Sequence, residues 1–253
     1  MRYISYAIKM FVVRLASRFG YSIIKTSDNE VWTHEKAPQY LHSKISPLSS
    51  YSPWLSDKAF LETYKEIKNN TLVDIYRCYE LWSLAKQQQN VEGSFLEVGV
   101  WRGGTGTLIS AANRNKETYL ADTFEGVVKA GENDPKYKGG EHWDTSPQVV
   151  EKLLTKLKIT NAKLLIGTFP DDTGYQVNDK ISFLHCDVDV YESARSIISW
   201  AEPKLTSGAI VVFDDFGFYG CEGITKLVEE LKSDRNFLFV HNLNGHAIFL
   251  KRF

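Results

Sequence analysis

The sequence predicts an α/β protein whose sheet is mostly parallel and covered by helices on both faces. Three observations predict it. From residue 94 onward, short apolar runs alternate with helix-patterned segments. A glycine-rich turn, "GVWRGGTG", separates the first apolar run from the first helix after it. The chain closes on two apolar runs around "NLNG", the pattern of an antiparallel hairpin.

The elements follow in order. Residues 26–56 are polar and aromatic and read as irregular connection, whereas 57–89 carries the periodicity of two helices. Strands are expected at 94–100, 118–122, 162–167, 180–188 and 208–215. Helices are expected at "TLISAANRN", "SPQVVEKLLTKLKI", "ESARSIISWAEPKL" and "CEGITKLVEELKSD". Two regions result: a helical extension over 1–90 and an α/β domain over 91–253. The aromatic-rich stretch 30–90 suits a wall for a bound substrate or an interface in a homo-oligomer.

Composition narrows the partners. With 30 basic and 31 acidic residues the formal net charge is −1, so no basic surface for nucleic acid is expected. Cys78, Cys186 and Cys221 are far apart and show no zinc or disulfide spacing, which points to a reducing, cytoplasmic setting. The first 25 residues carry Arg2, Lys9, Arg14, Arg18 and Lys25 and no acid. Ile4, Ile8, Phe11, Val12, Leu15 and Phe19 share one helical face, while Lys9 and Arg14 interrupt every apolar run, so the segment cannot span a bilayer. The expectation is a helix packed on the domain or on a partner subunit. Its alternative is a peripheral contact with the inner face of the membrane.

Two groups of residues carry the chemistry. Gly99, Gly103, Gly104 and Gly106 leave the turn after the first strand with little bulk, so backbone and helix amides can approach a ligand. Glu97 lies in the strand before the turn, and Asp122 ends the next strand, where an acid accepts hydrogen bonds from ribose hydroxyls. The second group is "CDVDV" and "VFDDF". Asp187, Asp189, Asp214 and Asp215 end two neighbouring strands, where their repulsion and desolvation need an offset. A divalent cation supplies one, and all-oxygen ligands suit Mg²⁺. His142 and His185 are candidate bases, with His185 expected to face packing.

In order, "FLEVGVWRGGTGTLISAA", "LADTFEG", "LLIGTFPDD", "CDVDVYES" and "VVFDDFGFYGCEGITKLVEEL" resemble the motifs of the macrocin O-methyltransferase family. The resemblance runs from about residue 93 to about residue 250. It implies a Rossmann-like class I methyltransferase sheet of seven strands with the last antiparallel, S-adenosylmethionine as methyl donor, Mg²⁺, and a sugar hydroxyl as acceptor. It also implies site roles. Glu97, Gly99, Trp101, Gly103, Gly104, Asp122, Thr123, Phe169 and Asp187 would line the methyl donor. Asp189, Asp214 and Asp215 would hold the metal, Asp187 would be the general base, and 127–146 would form a mobile lid carrying His142 towards the acceptor. Rival readings are a catechol-like acceptor, a nicotinamide-dependent oxidoreductase, and a binding protein without catalysis. The oxidoreductase has no use for four strand-end aspartates, and the binding protein has no reason to tolerate their repulsion.

Overall fold

The computed structural model describes residues 2–21, 31–43 and 49–253, without the side chains of residues 2–7 and 9. Helix α1 (Arg2–Arg18) leads to a two-stranded antiparallel hairpin, β1 (Trp32–His34) and β2 (Ala37–His42). The sequence reading had this hairpin as irregular connection, because Pro38 and the charged pair Glu35–Lys36 break the apolar pattern. Proline is tolerated here because the strand is an edge. Residues 26–30 and 44–48 of that expected connection lie outside the described residues.

Helices α2 (Lys58–Ile67) and α3 (Ile75–Gln87) begin where the sequence supplies caps. The Asp57 carboxylate accepts the Phe60 amide, and that of Asp74 accepts the amides of Tyr76 and Arg77. Such a cap contributes about 1 kcal/mol. The α/β alternation then runs β3 (Ser94–Val98), α4 (Gly104–Ala112), β4 (Thr118–Asp122), α5 (Pro147–Lys156), β5 (Ala162–Ile166), β6 (Ile181–Cys186), α6 (Tyr191–Ala201), β7 (Leu205–Phe213), α7 (Glu222–Leu231), β8 (Phe237–His241) and β9 (Ala247–Lys251).

The seven-stranded sheet has the order β5-β4-β3-β6-β7-β9-β8, and β9 runs antiparallel to both its neighbours. The seven-stranded sheet with its antiparallel last strand therefore stands as expected. Strand order reverses between β3 and β6, which opens a crevice at the carboxyl ends of those strands.

Both faces of the sheet are buried. One face packs α6 and α7 against Leu96, Leu184, Val211 and Phe249. The other packs Leu81 and Ala85 of α3 and Ile109 of α4 against Phe95, Phe183 and Ile210. Helix α3 thus belongs to the core of the catalytic unit, so the boundary expected at residue 90 falls inside one packed body. Helix α1 does not share that core. Ile8, Phe11, Val12, Leu15 and Phe19 are all exposed, which overturns the expectation that this stripe packs on the domain. The Ile4 side chain and Lys25 lie outside what is described. Among the described residues, no helix is long and apolar enough to cross a membrane.

Candidate active site

The crevice holds a cavity of about 350 Å³ whose wall is built from the carboxyl ends of β3, β4, β6 and β7. Gly99, Trp101, Asp122, Thr123, His142, Phe169, Asp187, Asp189, Asp214 and Asp215 all line it. Gly99 has φ +90°, and a Cβ there would lie 1.7 Å from the carbonyl oxygen of Asp187. Only glycine lets β3 turn this close to β6.

Three expected donor-binding residues do not reach the cavity. A Cβ on Gly103 would meet Val150 of α5, and one on Gly104 would meet the backbone of Asn70. Gly103 thus makes room for α5, and Gly104 for the loop that joins α2 to α3. Glu97 is fully buried, and its Oε1 lies 2.8 Å from His185 Nδ1. Register explains this contact, since Glu97 of β3 pairs directly with His185 of β6, below the cavity floor. His185 is packed away, as the sequence reading had it.

Asp122, expected to accept ribose hydroxyls, also holds the glycine turn. Its Oδ2 accepts the amides of Val100 and Trp101, each at 2.7 Å, and Oδ1 accepts that of Phe124 at 2.7 Å. Burial raises its pKa, against the lowering effect of these amides.

The acidic wall is strongly perturbed. Donor atoms of Asp187, Asp214 and Asp215 fall within 4.8 Å of one another, and Asp189 approaches Asp215 in the same way, together with Cys221. Burial and the neighbouring carboxylates push Asp187 well above the usual carboxylate range, and Asp215 likewise. Burial would also raise Asp214, but His246 and Arg77 outweigh it and hold this carboxyl below its ordinary value. Asp189 and Asp215 both sit at positive φ, 62° and 61°, as does Trp101 at 47°. Strained backbone of this kind gathers at functional sites. All-oxygen donors that repel one another in a buried wall suit a hard divalent cation.

The segment 127–146 roofs the cavity. It is fastened by Ser193 Oγ donating to Val128 O (2.8 Å), by Asp134 accepting the Tyr191 amide (2.9 Å), and by Trp101 Nε1 donating to Asp144 (2.9 Å). The segment expected to be a mobile lid is thus tied to the body along its length. Tyr137 donates its hydroxyl to Asp189 Oδ1 at 2.5 Å, and His142 Nε2 stands 4.0 Å from Asp189 Oδ2. His142 therefore reaches the carboxylate cluster, its ring near those of Trp101 and Tyr137.

Sequence reasoning missed Arg77, Tyr137, Lys136 and Phe218, which also line the cavity. Arg77 is buried, pairs with Asp214 and Asp74, and lies 4.8 Å from the centre of the Phe218 ring. A signal was present. Arg77 falls on the same helical face as Cys78, Leu81, Trp82 and Ala85, so a charge on that stripe required a buried partner. Nothing comparable marked Tyr137, which lies in an irregular segment.

Comparison with known proteins follows the same lines. The model of the macrocin O-methyltransferase (TylF) family matches residues 69–251. The mycinamicin III 3''-O-methyltransferase of Micromonospora griseorubida is 24% identical over 191 residues, covering 66% of this chain and 75% of its own. The demethyldecarbamoylnovobiocin O-methyltransferase of Streptomyces niveus is 29% identical over 143 residues, which is 50% of this chain and about half, 54%, of the relative. Among solved structures, the O-methyltransferase NovP superposes with a TM-score of 0.65 at 22% identity, covering 73% of this chain and 83% of that one. The calicheamicin methyltransferase CalS11 gives 0.60 at 17% identity, over 83% and 98%. These structural likenesses speak for the fold. With the family model spanning most of the chain, this protein belongs to the macrocin O-methyltransferase family and is an S-adenosylmethionine-dependent O-methyltransferase.

Proposed function

We propose that the chain methylates a hydroxyl of a sugar-containing acceptor, with Asp187 as general base and Mg²⁺ held by Asp189, Asp214 and Asp215. One observation carries the reading: four carboxylates converge on the cavity wall beside the Gly99 turn. The named relatives that act on mycinamicin III and demethyldecarbamoylnovobiocin support an acceptor bearing a sugar. So does a tetracenomycin 4'-O-methyltransferase of Streptomyces olivaceus, whose substrate name includes a rhamnosyl group.

A bound divalent cation supplies Lewis acidity, which lowers the pKa of a coordinated hydroxyl and offsets the mutual repulsion of the aspartates. The remaining work falls to the chain. The Gly99 turn, Trp101, Asp122, Thr123 and Phe169 bind the methyl donor and aim its sulfonium methyl at the acceptor oxygen. Asp187 takes the hydroxyl proton. The oxygen lone pair then forms the new C–O bond as the C–S bond breaks, leaving its electron pair on sulfur, and S-adenosylhomocysteine departs. Tyr137 and His142 hold Asp189 in place and shield it from water.

Calorimetric titration of S-adenosylmethionine and S-adenosylhomocysteine, with NAD as control and with and without Mg²⁺, tests the donor site. Binding of both sulfur ligands with NAD silent is expected, and the absence of both ends the reading. Asp187→Asn should bind the donor normally and lose about 10²–10⁴-fold in turnover. Near-wild-type turnover would remove Asp187 as base.

The exposed apolar stripe of α1, flanked by Arg14 and Arg18, also supports a peripheral contact with an anionic membrane. In this reading the helix lies in the headgroup region and the catalytic unit stays in the aqueous phase.

A further inference from the structure

Behind the acidic wall, on the α3 side of the sheet, lies a second polar cluster whose two histidines are sealed from solvent. His185 and His246 are both 0% exposed. The Nδ1 of His185 lies 2.8 Å from Glu97 Oε1, and that of His246 lies 2.6 Å from Glu80 Oε2. Each Nδ1 is therefore occupied by a carboxylate. Each ring is left with a buried Nε2 that has no hydrogen-bond partner. The His246 Nε2 stands 3.5 Å from Asp214 Oδ1, and donor atoms of His185, His246 and Asp214 all lie within 4.8 Å of one another.

Charge makes the cluster incomplete. Three carboxylates, Glu80, Glu97 and Asp214, face it, and Arg77 is the one fixed cation against them among the described residues. With both imidazoles neutral, at least two positive charges are missing. Two extra protons would supply them, but as two imidazolium rings with centroids 6.0 Å apart in a dry interior. Like charges so placed repel strongly. A single divalent cation supplies the same charge at one point and engages both orphaned nitrogens.

We infer that His185, His246 and Asp214 form a buried site for a borderline divalent cation such as Zn²⁺. Two imidazoles and one carboxylate match its donor preference, whereas a hard ion prefers oxygen alone. Tetrahedral ligands about 2.0–2.2 Å from zinc stand about 3.3–3.5 Å apart, close to the His246–Asp214 separation already present. Glu97 and Glu80 act as the orienting carboxylates that metal-bound histidines commonly have. The site joins β6, the end of β7, the start of β9 and, through Glu80, helix α3. It does not depend on the methyl-transfer reading, although Asp214 belongs to both clusters.

Co²⁺ titration of the chelator-stripped full chain, in excess Mg²⁺, tests the site by visible absorption. The expected result is one equivalent of Co²⁺ with the intense bands of a low-coordinate nitrogen–oxygen environment. His185→Gln and His246→Gln should abolish those bands, Asp189→Asn should keep them, and Glu80→Gln should weaken Co²⁺ affinity about 10–100-fold. No absorption in the wild type, bands that survive both histidine changes, or bands lost only with Asp189→Asn would overturn the site. X-ray absorption of the Zn²⁺-loaded wild type decides the matter without variants. Two imidazole shells are expected, and a spectrum without imidazole scattering overturns the assignment.

Discussion

At the scale of single residues, Arg77 decides how the acidic wall is tolerated. Its guanidinium is buried against Asp214 and, together with His246, holds that carboxyl below its ordinary value, while Asp187 and Asp215 are pushed the other way. Breaking a buried pair from one side leaves an uncompensated charge, at a cost of about 3–5 kcal/mol. Arg77→Met should therefore lower the unfolding free energy by about 3–5 kcal/mol, read as a lower urea midpoint at an unchanged slope. A midpoint unchanged from wild type would mean that Asp214 does not need the guanidinium. The residues that bear chemistry were largely legible: ten of the expected positions line one cavity. What stayed hidden was the purpose of Glu97, Gly103 and Gly104. A motif shows which residue types recur around a turn, not which of them face the ligand and which face the neighbouring strand or helix.

At the scale of elements, the strands were readable because each is a short apolar run ended by glycine or aspartate, and 118–122 was located to the residue. The β1–β2 hairpin was not, because it has little apolar surface of its own and rests on contacts from elsewhere, such as His34 and His42 against Tyr219. Sheet order too is tertiary information that no local pattern carries. A prediction belongs to the lower end of the sheet, where Asp179 accepts the hydroxyls of Ser94 on β3 and Tyr119 on β4, both at 2.8 Å. Those hydrogen bonds, Ser94 first, lower its pKa in the folded protein. A carboxyl depressed by folding adds stability above its unfolded pKa, near 3.9, and that stability is lost as pH falls through the folded value. Asp179→Asn should therefore flatten the acid limb of a Tm-versus-pH curve below about pH 4 and leave the neutral limb parallel to wild type. An acid limb as steep as wild type would assign the dependence to other carboxylates.

At the scale of the whole molecule, α1 stands apart from a body that already closes its own core. Removing residues 1–21 should leave the Tm within about 1 °C, since surface changes away from packed features stay within ±0.5 kcal/mol. The same deletion should abolish sedimentation with vesicles rich in anionic lipid, which the full chain should show and high salt should weaken. Equal partitioning of both forms discards the membrane contact. Loss of a dimer in the shortened chain, without any vesicle binding by the full one, would instead assign the stripe to a second copy. Elsewhere the roof of the cavity closes over Cys221. That thiol is 5% exposed and packs with Tyr137 and Val190 under Val127 and Ala130, whereas Cys78 and Cys186 are sunk at 0% and 1% in the body. Burial raises all three thiols, so none reacts while covered. The chain therefore carries two clocks of different speed. A thiol reagent should consume Cys221 at the rate at which the roof lifts, and Cys78 and Cys186 only at the rate at which the molecule unfolds. Saturating S-adenosylhomocysteine should slow the first clock more than the second, and equal rates at all three cysteines would mean that the roof opens only when everything does.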